Sequence, residues 1–122
     1  MNNKQQKPTE KTSAEIFEYN VENGVSEYHV MIHARCPEDT YEQQLNAVVN
    51  AYFTLLEGEL HGAVAVFKRY FLSDAANQSD MLLALTTESS DCALSIVEQP
   101  PLDGSKIALW AYLQSGVQTR VL

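Results

Sequence analysis

Cations are scarce in this chain. Of 122 residues only 8 are Lys or Arg against 16 Asp or Glu, giving a formal net charge of −8. Lys4, Lys7 and Lys11 fall in the opening segment, which leaves few for the rest. A nucleic-acid interface needs clustered cations to release counterions from phosphates. Docking on anionic lipid needs them as well. Neither function class suits this composition.

Cysteine is equally sparse. Cys36 and Cys92 stand far apart without metal-type spacing. They are expected as free thiols in a reducing compartment. No apolar run approaches the ~20 residues that a helix needs to cross a bilayer. The opening MNNKQQKPTEKTS lacks the apolar core of a signal peptide. The expected location is the cytoplasm, without a membrane partner.

What remains is ordinary globular material: 45% hydrophobic and 20% charged residues. The length suits one domain with a core that needs no disulfides. Residues Met1 to Ser13 are polar throughout. They cannot bury enough apolar surface to offset their ordering entropy, so a disordered tail is expected there. The domain is expected over Ala14–Leu122. No stop signal closes it, so the end is expected as a short extra strand or, alternatively, as a point within a longer chain of which this is the N-terminal part.

Within the domain, Ala14–Val21 reads as a strand, and Glu22-Asn23-Gly24 as a hairpin turn. Ser26–Arg35 alternates cleanly: Tyr28, Val30, Ile32 and Ala34 on one face, His29, Met31, His33 and Arg35 on the other. Thr40-Tyr41-Glu42-Gln43 is a capping box. Tyr41, Leu45, Val48, Val49, Tyr52, Leu55 and Leu56 then recur at helical spacing, which predicts a helix over Tyr41–Glu57. Gly62–Asp74 is apolar on both faces, as suits a strand inside a sheet. Ala75–Leu85 reads as a second helix, capped by Asn77 or Ser79, followed by a polar loop to Asp91. Cys92–Gln99 and Lys106–Leu113 complete the strands, joined by turn chemistry at Pro100–Gly104. The predicted fold is α+β, β-β-α-β-α-β-β, a mixed sheet with two helices on one face.

Candidate site residues are few. Lys68 and Arg69 point to opposite faces of the central strand, and the planar fork of Arg69 suits a carboxylate better. Arg35 ends its strand in a similar role. Glu98 lies at a strand end beside a loop, a place for a proton acceptor. Cys92 has no cation or histidine nearby in sequence to activate it. His29 and His33 sit about 13 Å apart along one strand, too far to share an ion, so no metal site is read. Trp110 and Tyr112 make the second face of the last strand large and apolar. Two helices cover only one side of a sheet, so the other side calls for self-association, with ligand clefts between copies.

Three stretches carry a family resemblance: Tyr41-Glu42-Gln43-Gln44-Leu45, AVAVFKRYFLSD, and ALSIVEQPPLDGSKIALWAYL. With the element order they resemble the YjgF-like, or Rid (reactive imine/enamine deaminase), family over about Ile16–Leu113. The resemblance implies a chorismate-mutase-type α+β domain and a homotrimer whose sheets line a central barrel. It also implies ligand clefts between subunits and no cofactor. Active deaminases of the family hold the substrate carboxylate with an Arg at the start of the fourth strand. That position aligns with Asp91 or Cys92, and no Arg or Lys occurs between Arg69 and Lys106. The family's late-strand Glu falls at Ile107 or Ala108. The expected function is therefore a divergent trimeric domain that binds a small anionic metabolite without imine deaminase activity. Arg69, Arg35 and Cys92 are its candidate ligand residues. The alternative is a deaminase or related hydrolase acting on a small carboxylate, with Glu98 as its catalytic group. The RNA cleavage attributed to some of the family fits a net charge of −8 poorly.

Overall fold

The computed structural model describes residues 2–6, 11–20, 24–86, 92–101 and 104–116. Six strands and two helices alternate as β1 (Asn2–Gln6), β2 (Thr12–Asn20), β3 (Ser26–Ala34), α1 (Tyr41–Glu57), β4 (Val64–Leu72), α2 (Ala75–Thr86), β5 (Ala93–Glu98) and β6 (Ile107–Ser115). The strands form one sheet in the order β1-β2-β3-β6-β4-β5. Neighbours run antiparallel except β4 and β5, which are parallel and joined through α2. The last strand is thus inserted between β3 and β4, in the interior of the sheet. The α+β class stands as expected from the sequence.

The tail is a correction. Asn2–Gln6 is not disordered but an edge strand, paired with β2 in the register Asn2↔Glu18 to Gln6↔Ala14. Polarity argues against burying side chains, but an edge strand is held by main-chain hydrogen bonds, to which side-chain polarity is blind. The element order therefore gains a strand, β-β-β-α-β-α-β-β. β2 also begins earlier than expected, at Thr12. The turn at Glu22-Asn23, the loop after Thr86, Leu102-Asp103 and the chain after Gly116 lie outside the described residues.

Alternation decides the faces. Ala14, Ile16, Val30, Ile32, Ala34, Tyr70, Leu72, Ile107, Leu109, Ala111 and Leu113 form the buried side of the sheet, against Leu45, Val48, Val49, Tyr52 and Leu55 of α1 and Leu82 of α2. α1 starts where the capping box places it: Gln43 N–H donates to Thr40 Oγ1 at 3.2 Å and Thr40 N–H to Gln43 Oε1 at 2.9 Å. The Tyr41 hydroxyl donates to the Gln78 carbonyl at 3.0 Å, tying α1 to α2. The first turn of α2 is not capped by Asn77 or Ser79, which lie inside the helix; the Asn77 and Ser79 side chains bond back to Asp74 and Ala75.

Gln44 is fully buried, although it follows a polar pair. Its Nε2 donates to the carbonyls of Pro37 (3.3 Å) and Asp39 (2.9 Å), and its Oε1 accepts from Lys106 N–H (2.8 Å). One amide thereby joins the loop before α1 to the start of β6. In β4 a bulge between Ala65 and Phe67 shifts the alternation, so Val64 and Val66 are exposed rather than packed. Lys68 is buried on the helix side, its ammonium 5.2 Å from the Tyr52 ring centroid. Gly116 follows β6 at φ +81, where a Cβ would collide with the Gly24 carbonyl.

Candidate functional site: the open face of the sheet

Both helices lie on one side, and among the described residues nothing covers the other. Register arranges its side chains in three rows. The first runs Phe17, His29, Tyr112, Phe67; the second Glu15, Met31, Trp110, Arg69, Ser95; the third Ser13, His33, Ala108, Phe71, Val97. Such half-buried aromatic rows are unusual on a solvated sheet face.

The rings are in mutual contact. His29 packs 5.1 Å from Tyr112, 5.7 Å from Trp110 and 5.6 Å from Tyr19 between centroids, and Phe67 lies 5.4 Å from Trp110. Edge-on and tilted geometries of this kind are the favoured ones for aromatic pairs. Burial lifts the Tyr112 phenol above its ordinary pKa, while the Gln114 amide that donates to its oxygen at 2.9 Å pulls the other way.

Arg69 lies among these rings. Its guanidinium carbon is 5.2 Å from the Phe67 centroid and 5.9 Å from Trp110. Its Nε is buried without a hydrogen-bond partner. A desolvated guanidinium N–H without a partner is energetically unfavourable.

At one end of the face is a cavity of about 270 Å³ lined by Met31, His33, Phe71, Gln99, Pro100, Pro101 and Ala108. It exists because Ala108 is the small member of the third row, with His33 and Phe71 standing either side of it. The Gln99–Pro101 segment forms the outer wall. His33 and Gln99 are the polar groups of an otherwise apolar lining, and each can donate a hydrogen bond. Among the described residues, no three His, Cys, Asp or Glu side chains come close enough to hold a metal ion.

The residues singled out in the sequence are not brought together. Arg69 is in the middle row but is not part of the cavity lining, and its guanidinium lies over Phe67 and Trp110. Arg35 is exposed just beyond β3, its N–H donating to the Lys11 carbonyl at 2.7 Å. Cys92 is a half-buried free thiol immediately before β5. Glu98 pairs in register with Leu72 on the helix side, whereas Arg69 pairs with Ser95 on the open side. One small ligand cannot touch both Glu98 and Arg69. The Glu98 carboxylate instead accepts from Ala75 N–H at 2.9 Å, at the start of α2. Of the two positions aligned with the family Glu, Ile107 is buried in the core and Ala108 is the cavity floor.

Sequence reasoning placed His33 on the polar face but not in a cavity, and did not bring Ala108, Gln99 and the prolines together with it. The missing information was register: only the pairing His33↔Ala108↔Phe71 puts a small side chain between two large ones. No family model, curated protein or solved structure matches this chain. No helix among the described residues is long and apolar enough to cross a membrane.

Proposed function

We propose that the chain is a self-associating, small-metabolite-binding domain: a divergent YjgF-like module of chorismate-mutase type, assembled as a homotrimer and acting in the cytoplasm. The observation that carries this reading is the open face, three rows of half-buried aromatic and apolar side chains around a guanidinium whose Nε has no partner. Contact with further copies removes those rings from water, which at about 25 cal/mol per Å² is the main driving force available to the domain. The cavity over Ala108 opens on this face and lies at the boundary between copies. Its apolar lining takes the body of a small ligand, and the His33 and Gln99 donors meet a carboxylate.

The family's deaminase chemistry is not part of the proposal. By the resemblance, Asp91 or Cys92 stands where the carboxylate-binding Arg would be, and apolar Ile107 or Ala108 where the late Glu would be. The test has two parts. Light scattering is expected to give a trimer at micromolar concentration, and a monomer would overturn the assembly. Titration with benzoate and 2-oxobutyrate, followed by the emission of the single Trp110, is expected to saturate and to weaken in His33→Ala. Hydrolysis of 2-iminobutyrate that Glu98→Ala abolishes would favour the enzyme reading instead.

A further inference from the structure

The ligand reading leaves Arg69 unused. Its guanidinium is stacked on Phe67 and Trp110, outside the cavity lining, and its buried Nε has nothing to donate to. A guanidinium N–H held this way in a single copy is desolvated without a partner. Among the described residues its own chain offers no nearby carboxylate on that face. Glu27 is two rows away, at roughly 13 Å along the strand direction, and lies beside the Tyr112 phenol, whose pKa it helps to raise. Glu98 is on the opposite side of the sheet.

Among the described residues the remaining carboxylate on the open face is Glu15. It occupies the same row as Arg69, at the other end: Glu15↔Met31, Met31↔Trp110, Trp110↔Arg69. Three strand spacings separate the two, roughly 14 Å, so they cannot meet within one copy. Among the described residues the Glu15 side chain makes no hydrogen bond or ion pair. One row thus carries a carboxylate without a partner at one end, a guanidinium with an unpartnered Nε at the other, and Met31 and Trp110 between them.

We infer that Arg69 of one copy binds Glu15 of the next, so that the two ends of this row form a head-to-tail clasp between copies of the chain. The inference rests on the self-association proposed above and assigns the residues that fix its register. A head-to-tail ring brings the β4 side of each copy against the β2 side of its neighbour, which is the arrangement such a row requires. The guanidinium fork then gains two carboxylate oxygens in a site already dried by Phe67 and Trp110, where a charge-assisted bidentate pair is strongest. The same pairing selects against other stackings, since any shift of one strand leaves two buried charges unpaired.

Charge reversal tests it. Light scattering and sedimentation are read on the wild type, Arg69→Glu, Glu15→Arg and the double exchange, with circular dichroism as a fold control. Each single reversal is expected to weaken association by about thirtyfold or more, as loss of one partner of a desolvated pair does. The double exchange is expected to restore most of it. A monomeric wild type would overturn the self-association reading itself. An oligomeric wild type with unaffected single variants, or with no rescue in the double exchange, would overturn the clasp alone. Should a reversal prevent folding, Arg69→Gln, Glu15→Gln and their double form a milder cycle, in which zero coupling overturns the clasp.

Discussion

Replacing Gln44 with Leu is a sharp test of how the domain is held at the end that carries the cavity wall. The side chain is 1% exposed and makes three hydrogen bonds, two to the Pro37 and Asp39 carbonyls and one from Lys106 N–H. Leucine keeps most of the volume and removes all three. A hydrogen bond is worth about 1 kcal/mol net, and a buried group left without a partner costs about 1–3 kcal/mol. The Lys106 ammonium also donates to the Pro37 and Asp39 carbonyls at 2.9 and 3.1 Å, so those acceptors are not wholly abandoned. The orphan that matters is Lys106 N–H. The expected loss is about 3 kcal/mol, a large share of the roughly 5–15 kcal/mol that stabilises a domain. Urea unfolding should show a lower midpoint at unchanged slope, and melting should fall by about 10 °C. A Gln44→Leu protein within about 0.5 kcal/mol of the wild type would refute the bridging role.

Other consequences are as specific. Ala108→Leu fills the cavity floor and should abolish small-carboxylate binding while leaving the melting temperature equal or higher, checked by titration beside calorimetry; unchanged affinity would move the ligand elsewhere. Glu98→Gln should lower stability by about 0.5–1 kcal/mol through its contact with Ala75 N–H, as helix-start carboxylates do, and should leave ligand affinity alone. Alkaline pH should destabilise the fold. Burial raises the Tyr41 and Tyr52 phenols from 10.0 to about 12, and lifts Tyr70 further. Between pH 10 and 12 the unfolded chain releases these protons and the folded one keeps them, so stability present below pH 10 is lost across that window. One buried phenol such as Tyr52 contributes about 3 kcal/mol there. Absorbance at 295 nm should show the folded protein titrating in more than one step, and Tyr52→Phe should flatten the stability profile.

The helix Tyr41–Glu57 was legible to the residue, because a capping box and an unbroken apolar spacing are local facts. The opposite orientation of Lys68 and Arg69 was legible too, since a strand alternates whatever it pairs with. The edge strand Asn2–Gln6 was not. Its pairing is made by backbone, and backbone is the same in every sequence. Gln44 was missed for a related reason: a polar residue in a first turn reads as solvent-facing until β6 arrives with a donor to match it.

The candidate site divides in the same way. Sequence alone determined that one sheet face would be aromatic and apolar, that two helices could not cover both sides, and that −8 leaves little cationic surface for nucleic acid or anionic lipid. Tertiary structure alone decided what that face contains. β6 enters between β3 and β4, and only that insertion lines up Glu15, Met31, Trp110 and Arg69 in one row and sets Ala108 between His33 and Phe71. Periodicity fixes which side of a strand a residue faces, because it depends on the chain's own geometry. Which residue it faces across the sheet depends on register and strand order, and those are set by the whole core together.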